Sequence, residues 1–394
     1  MLDYRMVDVD NHFYEPRDSF TRYMDSASLD RAVRPVVRDD GREVIMAGRR
    51  EVTFIEARIY DEVGRPGSLR EMLAKMKGGA TGQEAYRWTE VKPEYQHRDA
   101  RLAVMDAQGI EACVLFPSVA LVVEHFFESP DDLYLNFHAF NRYLDEEWGF
   151  SYQGRIHPVA AVSLRDLGRA VDELEWLLAR GARVVGLRPG PAYGRSPGDP
   201  YFDPFWARVN EAGISVVFHM TESSYNEQVS TLWGQEPNPS DFEMSAWQWA
   251  NTYGDRPIMD TLSALIYDNL FGRFPKLRVV SVENGCEWVP YLVRRMDKMR
   301  GMGRNGPWVG GTLTERPSAI FGRHVLVTPF PEDDISALVD ALSVDSLVLG
   351  SDWPHAEGLA EPADYLRILT PLGTADQRRV MRDNGLRIVR GDSR

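Results

Sequence analysis

With 394 residues and 43% hydrophobic content, the chain can bury a large core; it exceeds the roughly 250 residues usual for a (β/α)8 barrel but stays within the range of one barrel with insertions. A formal net charge of −14 argues against nucleic acid and anionic membrane surfaces as partners, because both select basic patches. The two cysteines, Cys113 and Cys286, form no zinc motif and fit a reducing, cytoplasmic setting. No signal peptide is expected, and no apolar run reaches the roughly 18 residues that a membrane span needs.

The first apolar run, 5–9, leads directly into Asp10-Asn11-His12. Further runs at 112–116, 156–162, 183–187, 214–218, 278–283, 324–328 and 346–350 complete a predicted set of eight strands, each short and rich in apolar or β-branched residues. Between them, helical patterns at 98–108, 168–180 and 201–212 end at Gly109, Gly181 and Gly213, where glycine supplies a left-handed cap. A further helix from Glu287 carries Val289, Leu292, Val293 and Met296 at the spacing of a helix packed on a sheet. Strand and helix in alternation predict a parallel sheet. Eight such units predict a closed (β/α)8 TIM barrel, with 1–394 as a single domain. The excess length falls at about 13–97, 220–256 and 300–320. All three insertions are rich in aromatic and turn residues and are expected to cover the carboxyl-end mouth.

Four of the strands end abruptly in residues that bind metals. Asp10 and His12 close the first, two residues apart and so on one face. His219 follows Val216-Val217-Phe218, Glu283 follows Val279-Val280-Ser281-Val282, and Asp352 follows Leu347-Val348-Leu349-Gly350-Ser351. Taken singly, each is as well read as a turn cap or a satisfied core residue. Together they converge, because carboxyl ends of barrel strands share one mouth, where active sites sit. Asp352 also suits a general base. Glu15 and Glu124 are further ligand candidates, each balanced by a salt-bridge or solvated-loop reading, and His355 either joins the ligands or orients them. Arg188, ending the fourth strand, holds a substrate carboxylate or carbonyl or pairs with Glu283. Tyr225, Trp247, Trp249 and Trp353 are candidates for contact with a bulky apolar substrate.

The Asp-x-His opening with Glu15-Pro16, His219, the Glu283-Asn284-Gly285 turn and Gly350-Ser351-Asp352-Trp353-Pro354-His355 together resemble the amidohydrolase superfamily over nearly the whole chain. The likeness is greatest to the branch containing aminocarboxymuconate-semialdehyde decarboxylase. It implies a TIM barrel with metal at its mouth, with His12, His219 and Asp352 in ligand positions, and a homodimer. The chain departs from the pattern in three places. Asp10 stands for the first histidine of the strand-1 pair, Glu283 for the strand-6 histidine, and Arg188 occupies the strand-4 end where other members carry a bridging lysine. Oxygen ligands shift preference from zinc towards iron or manganese. That composition resembles the nonheme diiron monooxygenases of platensimycin and platencin biosynthesis. It implies two irons, dioxygen as co-substrate and a bulky, coenzyme-A-linked terpenoid substrate. A zinc or manganese hydrolase or decarboxylase, with Asp352 as base, is the alternative, and a barrel that only binds ligand is a third reading.

Overall fold

Runs of valine and leucine too apolar to face water on either side become the staves of a parallel barrel in the computed structural model, which describes residues 2–80, 82–240 and 243–390. The staves, in chain order, are β1 (Met6–His12), β2 (Ile110–Phe116), β3 (Ile156–Pro158, continuing as Ala160–Ala161), β4 (Val184–Gly186), β5 (Ser215–His219), β6 (Arg278–Val282) and β7 (Val325–Val327). Each pairs in parallel with the next, with registers such as His12↔Phe116, Val185↔Val216 and His219↔Val282. The predicted eighth strand, 346–350, is extended but bonded more sparsely. Val348 N–H donates to Val327 O (3.0 Å), while Val9 N–H donates to Leu349 O (2.8 Å) and Asp352 N–H to Asp10 O (2.8 Å), which closes the ring between β7 and β1.

The alternation of side chains divides the core in two. Val7, Val9, Val114, Phe116, Val217, Val280, Val282, Leu326 and Val348 fill the barrel interior. Cys113, Leu115, Val216, Phe218, Val279 and Leu349 face outward into the layer of helices. The helices Arg98–Gln108 and Asp203–Ala212 end on Gly109 (φ 73°) and Gly213 (φ 65°), as their sequence patterns require. Ile388 and Val389 of the last helix, Asn384–Val389, join the interior cluster and plug its amino end. Gly385 is needed there, because a Cβ at that position would lie 2.8 Å from Val7 Cγ1. Among the described residues no helix is long and apolar enough to cross a membrane.

Two of the three insertions lie over the mouth. Residues 13–97 build an antiparallel sheet (Val33–Val37, Glu43–Ala47, Arg50–Val52) and a strand pair (Glu62–Gly64 with Trp88–Glu90). Residues 220–256 form short helices, Tyr225–Gln228 and Ala246–Asn251 among them. The third, 300–320, does not cover the mouth. Trp308 packs on Tyr267 (6.2 Å between rings) and Gly310 O accepts from Asn269 Nδ2 (3.1 Å), on the stretch that leads into the start of β6. The reason is topological: a helix returning along the barrel delivers the chain to the amino ends of the strands.

His157, at the start of β3, is buried, and that burial pushes its imidazole down to about 4, with Arg183 acting in the same direction. A histidine whose folded pKa lies below its unfolded value near 6.5 binds fewer protons when folded. Its contribution is therefore complete above about pH 6.5 and is lost as pH falls towards 4. The urea unfolding free energy should drop over that window, by on the order of 3 kcal/mol from this residue. His157→Gln should flatten the drop; a variant whose pH profile runs parallel to the parent's would overturn the assignment.

Candidate metal centre

Strict alternation along β1 would send Asp10 and His12 outward, opposite to Val7 and Val9. The β1–β2 pairing breaks register between Asp8 and Asn11, and this irregularity turns both side chains into the mouth. His219 follows Val217 in phase. Glu283 and Asp352 are aimed by the backbone instead, since each adopts a left-handed conformation (φ 54° and 52°). Such strain in a non-glycine residue costs about 1–3 kcal/mol and collects at functional sites. Gly350 makes room for the arrangement, as a Cβ there would lie 2.9 Å from Asp10 Cβ.

The side chains meet in two groups that share His12 and Glu283: Asp10, His12, His219 and Glu283, then His12, Glu283, Asp352 and His355, with ligand atoms in each group all within 4.8 Å of one another. His12 Nε2 lies 3.1 Å from Asp10 Oδ1, 3.4 Å from Asp352 Oδ1 and 3.2 Å from His219 Nε2. His219 Nε2 is 3.1 Å from Glu283 Oε2 and 3.5 Å from Asp10 Oδ1. Asp10, His12, His219, Glu283 and Asp352 are buried and His355 partly so, and among the described residues no lysine or arginine pairs with Asp10, Glu283 or Asp352. His219 Nδ1 contacts Met220 O at 2.7 Å, which fixes the tautomer and leaves Nε2 facing the carboxylates. This is the donor set of a divalent cation: carboxylates without a counter-charge, and imidazole nitrogens turned towards them.

The protonation pattern agrees. Burial would lower the His219 pKa, but its bonds to Asp10 and Glu283 outweigh burial and raise it well above the ordinary value. Burial would raise Asp10, but His12 and His219 hold it below the usual carboxylate range. A proton on His219 thus does part of the work of a cation. Burial, then the charges of Glu283, Glu357 and Asp10, push Asp352 well upward. Asp352 Oδ1 lies 2.7 Å from His355 Nδ1, and His355 Nε2 is 3.1 Å from Ser118 Oγ, whose hydroxyl is donated to Phe13 O. Nε2 therefore carries the hydrogen towards Ser118, and one shared proton lies between Asp352 and His355.

Several expected residues lie elsewhere. Glu15 is not a ligand; its carboxylate accepts the N–H groups of Ser118 (3.0 Å), Val119 (2.9 Å) and Ala120 (2.9 Å), which fixes the loop after β2. Glu124 also lies outside both groups, and its Oε1 accepts from Ser163 Oγ (2.7 Å) and Tyr193 OH (2.8 Å). Arg188 does not pair with Glu283 but donates to Ser224 Oγ. Trp353 is buried away from the cavity, over the Arg101 guanidinium (4.6 Å) and against Tyr95 (5.5 Å). Trp247 packs on Trp233, Trp249 is half exposed against Tyr253, and Tyr225 OH donates to Asp260.

The aromatic lining is real but comes from other residues. A cavity of about 220 Å³, open to solvent, rises from His12, His219, Glu283 and His355 to Phe54, Tyr86, Trp88 and Tyr253. Pattern reading also missed the support beneath. Asp8 accepts from Ser351 Oγ (2.6 Å) and Asn11 Nδ2 (2.9 Å), while Arg101 donates to Asn11 Oδ1 and to His12 O (2.6 Å). The doublet Asp8-x-Asp10 was a possible signal, since a second acid buried in the same strand must find hydrogen-bond donors of its own.

Glu15→Gln should separate clamp from ligand. It weakens three backbone bonds to a charged acceptor and should cost on the order of 3 kcal/mol in unfolding free energy, with metal content per chain unchanged. Loss of metal with unaltered stability would restore Glu15 to the ligand set.

The amidohydrolase family model matches residues 7–391. An amidohydrolase from Mycobacterium avium subsp. paratuberculosis K-10 is 37% identical, with 99% of this chain and 100% of that one covered, at a TM-score of 0.89. The fold is shared more distantly by a dihydroxybenzoic acid decarboxylase from Polaromonas sp. JS666, solved with manganese and 2-nitroresorcinol (18% identity, 98% and 97% covered, TM-score 0.60). It is shared likewise by 5-carboxyvanillate decarboxylase from Sphingomonas paucimobilis (18%, 98% and 99%, 0.60). No curated protein matches the chain. A parallel barrel whose strand ends gather two imidazoles and three carboxylates, under a family match that spans the chain, makes this protein a metal-binding enzyme of the amidohydrolase superfamily.

Proposed function

We propose that the protein is a metal-dependent, non-oxidative decarboxylase of bulky aromatic carboxylates. The observation that carries this reading is the Asp352–His355 pair at the edge of the metal centre, with a proton between its members and the His355 ring lining the aromatic cavity. Decarboxylation leaves a carbanion that must be protonated, and a proton held between a buried carboxyl and an imidazole that lines the cavity suits that task. Asp10, His12, His219 and Glu283 would hold the ion, with manganese the ion favoured by the oxygen-rich set and by the Polaromonas neighbour. Such an ion supplies Lewis acidity to a substrate oxygen. Phe54, Tyr86, Trp88 and Tyr253 would hold the aromatic body and exclude water. These rings lie away from the metal centre, where the body of a substrate larger than one ring would rest.

A second reading, the diiron monooxygenase on a terpenoid substrate, draws on one observation: the two ligand groups share the Glu283 carboxylate, the kind of ligand that can bridge two ions. Metal analysis and gas exchange separate the two. The first reading expects one manganese per chain and CO₂ release from hydroxylated aromatic acids without dioxygen uptake. Two irons with dioxygen consumption would replace it by the second.

In the first case Asp352→Asn should lower kcat by about 10²–10⁴-fold with KM little changed, the usual share of a positioned acid. Trp88→Ala should raise KM for a two-ring acid about tenfold, the equivalent of roughly 1.4 kcal/mol, and spare a one-ring acid. Equal effects on both acids would remove Trp88 from the substrate site.

A further inference from the structure

The metal centre opens in a second direction that the main cavity does not use. His219 and Leu121 border both the main cavity and an inner one, lined further by Phe116, Val159, Val217, Thr221, Glu124 and Arg188. Glu124 and Arg188 also line the pocket beyond it, beside Tyr193 and Pro191. The walls of the inner cavity are mainly apolar, yet it ends on a guanidinium and a carboxylate.

These two charges are not paired with each other. Arg188 donates to Ser224 Oγ and, at 3.4 Å, to Pro191 O, and its guanidinium lies over the Tyr193 ring at 5.1 Å. Glu124 is buried and uses Oε1 for Ser163 and Tyr193. Among the described residues neither forms an ion pair. Glu222 feels the Arg188 charge but accepts from the Ser224 N–H (2.8 Å) and Asn226 Nδ2 (3.1 Å). Both ends of the Arg188–Glu124 site are held from behind: Arg188 through Ser224, which His125 Nδ1 also contacts at 2.7 Å, and Glu124 through Tyr193. A fixed donor fork and a fixed acceptor facing one cavity match a neutral group that offers one acceptor and one donor.

We propose that Arg188 and Glu124 form a polar subsite for a carboxamide-type group on the second arm of the substrate. The C=O would accept from Arg188 and the N–H would donate to Glu124 Oε2. A carboxylate ligand is disfavoured there by the Glu124 charge, and an alkyl group by two unmet polar partners. The assignment rests on the metal centre being the reacting end, so it is tested by binding without turnover.

The probes are benzamide, benzoate and toluene, titrated calorimetrically into the manganese-loaded protein, with metal content measured for every variant. The parent should bind benzamide at least tenfold more tightly than toluene. Arg188→Met should abolish that preference, and Arg188→Lys should keep part of it. Glu124→Gln removes the repelling charge and should tighten benzoate binding about tenfold. Benzoate bound at the metal instead would be indifferent to both substitutions. The proposal is overturned if benzamide affinity is unchanged in Arg188→Met, or if benzoate that binds equally to the metal-free protein gains no affinity in Glu124→Gln. Failure of turnover with these binding shifts intact would count against the decarboxylase reading and leave the subsite standing.

Discussion

Repulsion among buried carboxylates at the barrel mouth is the constraint on which the rest depends. Asp10 and Glu283 offer oxygens within 4.8 Å of each other, and so do Glu283 and Asp352. Even at an effective dielectric near 20, like charges at that distance repel by roughly 3 kcal/mol, before any loss of hydration is counted. Without an ion, the arrangement is eased by proton placement: Asp10 and Glu283 outweigh burial and raise the His219 pKa well above its ordinary value, and burial with the neighbouring carboxylates raises that of Asp352 beside His355. Evolution towards stability alone would replace this cluster with apolar side chains. Its presence at the one place where all strands converge is the physical case for a bound cation.

Holding that cluster in place takes unfavourable backbone at three strand ends and compensating bonds below them. The register break in β1 and the left-handed residues Glu283 and Asp352 are each over-determined by neighbours. Glu283 N–H donates to Thr328 Oγ1 (3.0 Å), and Asp352 N–H donates to Asp10 O (2.8 Å). Asp8 binds Ser351 across the closing seam, while Arg101, fully buried, ties Asn11 and His12 O to the helix that follows the first insertion. Burial pushes the Arg101 pKa down to about 10, still well above neutrality, so its charge persists. The seam between the first and last staves is where a barrel is least covalently supported. Here it carries three of the metal-site side chains, Asp10, His12 and Asp352.

Continuous apolar runs and their abrupt polar ends made the barrel and five of the converging residues legible from sequence, because burial on both faces leaves few other patterns for a parallel strand. What stayed hidden was set by contacts across long sequence distances. Nothing local marks Glu15 as the acceptor of three amides a hundred residues away, nor Trp353 as a partner of Arg101. Aromatic richness located the two insertions that roof the mouth. It did not say which rings turn inward, since that depends on the pairing of Glu62–Gly64 with Trp88–Glu90 and on the Trp233–Trp247 contact. The error at 300–320 was avoidable, because a segment following a returning helix must emerge at the amino ends. Arg188 was placed correctly at the mouth, but its partner had to be Ser224 rather than Glu283 once β4 and β6 were known to be separated by β5.

The two ligand groups also bear on which chemistry the site can support. They share His12 and Glu283, and they differ in Asp10 and His219 on one side, Asp352 and His355 on the other. An ion in the first group leaves the proton between Asp352 and His355 in place, so the site keeps an acid. An ion in the second group needs Asp352 ionised and His355 Nδ1 free, which displaces that same proton, because ligands must be deprotonated to bind. Proton donation from Asp352 and a second ion are therefore exclusive uses of the same two side chains. One shell thus offers two incompatible chemistries, and the choice turns on a single proton. Glu357, exposed at the rim, raises the Asp352 pKa through its charge and so favours keeping that proton, which is the state the decarboxylase reading requires.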